Sequence, residues 1–360
     1  MVEESGTPQA RSLDNRREFL QRFGIVGVGV AIANLWQQRG QNQSLQATTP
    51  SLDYGTIPKR MLGRTGVEVS ALALGGAHLG GAEEQEAIRI VQTAIDAGVN
   101  FLDNAWEYGN GRCEELMGKA LQGSWRDKAF LMTKVCTHGR DARVAMQQLE
   151  QSLQRLKTDR IDLWQIHEVI YDNDPEMHFA KGGVVEALEQ AKKQGKVRFV
   201  GFTGHKDPAI HLKMLSYDYP FDTCQLPLNC FDGTFRSFEK QVLPELNRRN
   251  IAAIGMKSLG GDGNAVKKGI VKVEEALRYA MSLPVASIVS GIDSLQVLDQ
   301  NLRIAGNFQP MSSEQMQAVR DRYAQYAADG RFELYKTSKK YDGRPGREQH
   351  DFPPFQQLKL

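Results

Sequence analysis

Three short apolar runs in this chain each end in a group able to handle protons. Asn100-Phe101-Leu102-Asp103 closes on a carboxylate and is followed five residues later by the phenol of Tyr108. Phe130-Leu131-Met132-Thr133-Lys134 closes on an ammonium, and Ile161-Asp162-Leu163-Trp164-Gln165-Ile166-His167 on an imidazole. Parallel barrels assemble active sites in this way, from side chains at the ends of successive strands. A phenol with a pKa of about 10 is a poor acid unless a cation stabilises its phenolate. Lys134 is the candidate cation, Asp103 the group that holds it charged and aimed, and a neutral His167 the donor that steers a substrate carbonyl toward Tyr108. The quartet has no nucleophile and no source of electrons.

Each residue alone has a bland reading. Asp103 caps a helix, Tyr108 before Gly109 and Asn110 is a loop aromatic, Lys134 is a solvated strand end and His167 a core histidine. Four such residues ending consecutive strands in order outweigh those readings.

Eight strand-like runs alternate with helical ones. The strands are expected over 71–75, 99–103, 129–135, 161–167, 197–203, 223–226, 251–256 and 286–290. The helices are expected over 83–97, 112–121, 141–156, 184–194, 208–216, 238–249, 273–282 and 294–305. Within 141–156, Val144, Leu149, Leu153 and Leu156 make an apolar face for a sheet. Eight βα repeats in about 250 residues predict an α/β fold, a (β/α)8 TIM barrel over 56–310, with an N-terminal leader and a C-terminal extension.

With these residues in place the chain resembles the aldo-keto reductases. The pattern Asp-x-Ala-x-x-Tyr-Gly, a strand-end Lys and a strand-end His matches Asp103, Ala105, Tyr108, Gly109, Lys134 and His167, and residues 60–70 are similar to the family's opening hairpin. The resemblance runs from about 61 to 301. It implies NAD or NADP bound without a Rossmann domain. It also implies hydride transfer between the nicotinamide and a carbonyl carbon of an aldehyde, ketone or keto sugar, with Tyr108 protonating the oxygen. Asp103, Tyr108, Lys134 and His167 inherit the catalytic roles. The implied cofactor contacts are Asp103, Thr203, Gln225, Met256, the glycine-rich segment Lys257, Ser258, Leu259 and Gly260, and Gln300 with Asn301.

The pattern is not complete. Gly204 and His205 follow Thr203 where the family commonly has Asn. The segment around 289–301 lacks the basic pair that accompanies NADPH selectivity, and Asp293 there repels a phosphate dianion. NADH is therefore expected to serve at least as well as NADPH. Two rival readings stand beside the reductase: a non-catalytic nicotinamide-binding regulatory barrel, and a hydrolase or lyase built on Asp103 and Glu107. The intact quartet speaks against the first, and the order of Lys134 and His167 against the second.

Residues 1–50 read as a signal and linker. Arg16-Arg17 precedes Phe19-Leu20 and a weakly apolar stretch over 23–36, similar to a twin-arginine export signal. This predicts a periplasmic or otherwise exported protein handled by the twin-arginine machinery, with no stable membrane span after processing, since the stretch is short and glycine-rich. Gly27-Val28-Gly29 follows no strand and is not a dinucleotide loop. Residues 311–360 read as a C-terminal helix, opened by Ser312 and Gln315 in capping style, and a polar tail. Arg344, Arg347 and His350 of that tail, with loop residues such as His78, Trp106, His138, Phe231 and Asp232, are candidates to shape the pocket. A formal net charge of +2 argues against a nucleic-acid partner. Cys113, Cys136, Cys224 and Cys230 lack metal or disulfide-framework spacing, although export would permit a pair such as Cys113 with Cys136 to oxidise. No metal is expected.

Overall fold

A computed structural model describes residues 53–136 and 141–349, together with 354 and 357. The predicted leader, His138 and His350 lie outside the described residues. Among the described residues ten strands occur: β1 Lys59–Met61, β2 Glu68–Ser70, β3 Leu72–Gly75, β4 Phe101–Asp103, β5 Phe130–Val135, β6 Ile161–Ile166, β7 Val197–Thr203, β8 Thr223–Pro227, β9 Ala252–Met256 and β10 Ser287–Gly291. β3 to β10 form a closed parallel barrel in which β10 pairs with β3, and β1 and β2 form an antiparallel hairpin.

Alternation of side chains along each strand divides the core in two. Inward-facing Ala73, Phe101, Phe130, Met132, Leu163, Ala252, Ile254 and Ala286 fill the barrel together with Leu62 and Val69 of the hairpin. Outward-facing Leu102, Leu131, Trp164, Ile166, Val200 and Phe202 pack under the surrounding helices. Since Phe101, Phe130 and Leu163 point inward, Asp103, Lys134 and His167 do as well, at even spacings of two and four residues. The interior packing thereby fixes the direction of the reactive groups.

The helices fall close to the expected spans, with several differences, among them short helices Leu334–Thr337 and Arg344–Gln349 in the C-terminal tail. Residues 238–249 form two short helices, Phe238–Gln241 and Leu243–Arg248, because Pro244 begins a new helix and cannot continue the old one. Short helices Asp174–Phe179 and Asn264–Lys267 lie inside loops too polar to show a helical period. The helix Ser313–Tyr323 starts with a capping box from Ser312 and Gln315, as its sequence predicts. No helix of the described residues is long and apolar enough to cross a membrane.

Candidate active site

The C-terminal ends of β4, β5 and β6 bring the four predicted catalytic side chains together. The Lys134 ammonium is bonded to the Asp103 carboxylate, donates to the Asn104 carbonyl at 2.7 Å and lies 3.3 Å from the Tyr108 hydroxyl. The Tyr108 and His167 rings meet edge to face at 5.5 Å. Asp103, Lys134 and His167 are all buried. Unpaired, these charges would be costly in such a place. The lysine and carboxylate solve this for each other, and Gln225 completes the set by donating from Nε2 to Asp103 Oδ2 at 2.6 Å.

Tyr108 belongs to no strand, so its loop needs separate anchors. Asn104 and Trp106 continue the β-ladder by donating from their backbone N–H groups to the carbonyls of Met132 and Lys134. Behind the sheet, outward-facing Thr133 donates to the buried Glu114, which also holds Arg155. Arg155 donates to the Trp106 carbonyl at 2.9 Å. Gly109, Asn110 and Gly111 follow with φ of 58°, 55° and 92°, conformations that glycine and asparagine tolerate best.

Burial, followed by the charges of Asp103, Glu107 and Glu168, holds the Tyr108 phenol well above its usual pKa. The sequence suggested an acidified phenol. In the folded site the Lys134 charge is largely matched by Asp103, so Tyr108 rests as the protonated donor, and Lys134 is placed to stabilise a phenolate once a proton has left. Burial lowers the His167 pKa against the opposing pull of Glu107, which leaves the imidazole neutral near pH 7.

One further residue, Glu107, stands against the quartet and has no role in the reductase reading of the sequence. Glu107 Oε1 lies 2.8 Å from His167 Nδ1, and Cys136 Sγ donates to Glu107 Oε2 at 3.1 Å. Glu107, Cys136 and His167 also form a group whose ligand atoms lie within 4.8 Å of one another, the spacing of a possible metal site. Ligands around a tetrahedral metal at about 2.0–2.3 Å stand about 3.3 Å or more apart. Both contacts are shorter, and burial keeps the Cys136 thiol protonated. Cys136 is hydrogen-bonded to Glu107, and Glu107 stands in close contact with His167, whose Nδ1 finds no hydrogen-bond partner among the described residues. The trio's only signal in the sequence was the adjacency of Glu107 to Tyr108.

The predicted cofactor contacts lie around the later strands. Thr203 and Gln225 are buried neighbours in register on β7 and β8. Gln225 Oε1 and Ser258 Oγ are buried without a hydrogen-bond partner among the described residues. Met256 ends β9, and Lys257 follows with a φ of 57° and its ammonium 5.5 Å and 5.6 Å from the Tyr335 and Tyr341 ring centres. Leu259 packs against the core, and Gly260 has a φ of 77°. Asn301 donates to Ser290 Oγ at 3.0 Å, while Gln300 is exposed on the helix Leu295–Gly306.

The C-terminal segment reaches this mouth. Gly343 donates its N–H to Glu168 Oε2 at 2.7 Å, and a Cβ at this position would stand 2.3 Å from that oxygen and 3.0 Å from Glu107 Oε2. Asp342 pairs with Lys206 and accepts from the Tyr171 hydroxyl at 3.0 Å. Several expected pocket residues serve structure instead. Arg344 forms an exposed pair with Glu348, and buried Arg347 donates to the Lys339 carbonyl. Phe231 packs on Tyr323 and Phe332. Asp232 accepts from the backbone N–H groups of Phe238 and Glu239 and binds Lys336. Cys113 and Cys136 are free thiols.

The model of the aldo/keto reductase family matches residues 71–270. The chain is 31% identical over 210 residues to the aldo-keto reductase YhdN of Bacillus subtilis, covering 54% of this chain and 60% of YhdN. It is 26% identical over 306 residues to the uncharacterized oxidoreductase YqkF of the same organism, covering 72% of this chain and 95% of YqkF. The holo form of aldo-keto reductase AKR11C1 from Bacillus halodurans superposes with a TM-score of 0.63 at 23% identity, over 74% of this chain and 96% of that one. An aldo/keto reductase from Klebsiella pneumoniae, solved with NADP and acetate, gives a TM-score of 0.60 at 22% identity, over 76% and 98%. A closed barrel, a strand-end quartet in contact and a family match across more than half the chain lead to one conclusion: this protein belongs to the aldo/keto reductase family.

Proposed function

We propose that the protein is an NAD(P)-dependent oxidoreductase that interconverts a carbonyl group and an alcohol, with Tyr108 moving the proton. The observation that carries this reading is the Lys134 ammonium, bonded to Asp103 and 3.3 Å from the Tyr108 hydroxyl at a buried barrel mouth. The residues around the proposed cofactor position fit a nicotinamide dinucleotide. Gln225 Oε1 is a buried acceptor suited to a carboxamide N–H, and Ser258 Oγ is a buried hydroxyl beside the left-handed backbone of Gly260 and Gly261, suited to a phosphate oxygen. When bound, the nicotinamide supplies or removes the hydride. Tyr108 gives a proton to the carbonyl oxygen, Lys134 stabilises the phenolate left behind, and Asp103 keeps Lys134 charged and in place. Fluorescence titration with NADH and NADPH, followed by turnover of an aldehyde, ketone and keto-sugar series, tests the reading. A barrel that binds neither nucleotide overturns it, and one that binds but turns over none of the series is the regulatory alternative.

Cofactor choice follows from the loop after β10, where exposed Asp293 stands in place of a basic residue. NADH is expected to give a kcat/KM at least equal to that of NADPH. A preference of tenfold or more for NADPH in matched assays would reverse this assignment.

The proposal extends to location. Arg16-Arg17 and the stretch behind it fit export by the twin-arginine route, which moves folded proteins. An exported barrel of this kind would take its nucleotide in the cytoplasm and keep it, with a second substrate restoring the oxidation state. Protein purified from the exported fraction is expected to release NAD or NADP on denaturation, as read by mass spectrometry. Empty protein that works only with added nucleotide would count against retention.

A further inference from the structure

We propose that Lys257 is a specificity-determining residue whose ammonium binds a carboxylate carried by the substrate, so that the preferred carbonyl compounds are aldehyde or keto acids and the matching alcohols are hydroxy acids. The proposal rests on the redox reading of the same site and adds a substrate class to it.

Lys257 follows Met256 at the end of β9 with a φ of 57°, a left-handed conformation uncommon for a residue with a long side chain. This turn takes the side chain out of the alternation of the strand. Its ammonium lies 5.5 Å and 5.6 Å from the ring centres of Tyr335 and Tyr341 in the C-terminal segment. The Tyr335 ring in turn meets His205, after β7, edge to face at 5.9 Å. Glu168, Lys134 and Asp103 all act on the Lys257 charge, so the ammonium shares the mouth with the reactive pair. Ser258 and the left-handed backbone of Gly260 and Gly261, further along the loop, serve a phosphate without it.

The other charged groups of the mouth have partners. Lys134 is bonded to Asp103 and Lys206 to Asp342, Glu168 accepts from the Gly343 N–H, and Glu107 accepts from the Cys136 thiol. Among the described residues, half-buried Lys257 meets the two tyrosine rings and has neither a hydrogen-bond acceptor nor a carboxylate in bonding range. Ring faces steady an ammonium but leave its three N–H donors without a lone pair to bond. Burial lowers the Lys257 pKa against the pull of Glu168. Glu168 is itself a poor counter-ion, because burial holds its carboxyl well above the usual range. A half-buried cation with idle donors is costly until an anion takes them. A carboxylate fits, since it only accepts hydrogen bonds and brings the missing charge. A neutral amide of the same shape brings one carbonyl oxygen and no charge.

Matched substrate pairs test the proposal: para-carboxybenzaldehyde against para-carbamoylbenzaldehyde, and succinate semialdehyde against the corresponding terminal amide. In each pair the acid is expected to have the higher kcat/KM by about tenfold or more, mainly through KM, and added salt should narrow the gap. Lys257→Met should bring each pair within about threefold, and Lys257→Arg should keep the preference. Equal kcat/KM within both pairs for the native enzyme overturns the proposal. So does a Lys257→Met variant that keeps the preference; if it loses NADH affinity in its place, as read by fluorescence titration, the ammonium serves the dinucleotide. Failure of the redox reading looks different: neither nicotinamide nucleotide binds and neither member of a pair is turned over, while calorimetry with benzoate still reports the ammonium as binding that is lost in Lys257→Met.

Discussion

Replacing Tyr108 with Phe is expected to lower kcat by about 10³-fold in either direction, equivalent to about 4 kcal/mol of barrier. The effect is confined to the chemical step, since Lys134 keeps its bonds to Asp103 and to the Asn104 carbonyl, and the ring keeps its edge-on contact with His167. Binding of NADH, followed by fluorescence, should change little. The phenol rests protonated, raised by burial and by Asp103, Glu107 and Glu168, so no other group among the four duplicates its hydroxyl. A hydrolase using Asp103 and Glu107 would keep its rate in this variant. A loss below tenfold in both directions would remove Tyr108 from the reaction.

The second large effect concerns the segment that closes the mouth. Lys336 is fully enclosed, bonded to the Asp232 carboxylate and donating to Glu333 Oε2 at 2.7 Å and to the Phe235 carbonyl at 3.0 Å. Lys336→Met leaves two enclosed carboxyl groups without their cation, a loss of about 3–5 kcal/mol. For a domain of this size the melting temperature is expected to fall by about 10 °C. Burial already pushes the Asp232 carboxyl up to about 7 against the pull of Lys336. Its native pKa therefore lies above its unfolded one, and its ionisation removes stability as the pH rises toward neutrality. Without Lys336 that penalty grows, so the gap between variant and native protein should widen from about pH 5 to about pH 8. Calorimetry across that range checks the sign, and a gap that narrows refutes the argument. The same change loosens the chain before Asp342 and Gly343, which bond Lys206 and Glu168 at the mouth. A rise in KM should accompany the loss of stability.

The barrel and the quartet were legible because both rest on short periods. Alternation in Phe101-Leu102-Asp103 and Phe130-Leu131-Met132-Thr133-Lys134 fixes which side chains face inward once one of them is known to fill the barrel. Each reactive group shares its face with an apolar residue that does so. The opening hairpin, the eight βα repeats and the Ser312 capping box are equally local.

The order of the residues specifies the set of groups and the face on which they stand, because strand periodicity is a property of neighbouring residues. The state of those groups and the use made of the tail depend on the assembled fold. The matching of Lys134 by Asp103 and the contact of Glu107 with His167 arise between side chains 31 and 60 positions apart, and the burial that raises the Tyr108 pKa comes from the assembled mouth of the barrel. Asp232 looked like a pocket wall and Arg347 like a substrate contact, yet they became a helix anchor and a strut. A polar residue in a loop has no period to betray its partner, so its role is set by whichever distant charge the folded chain brings against it.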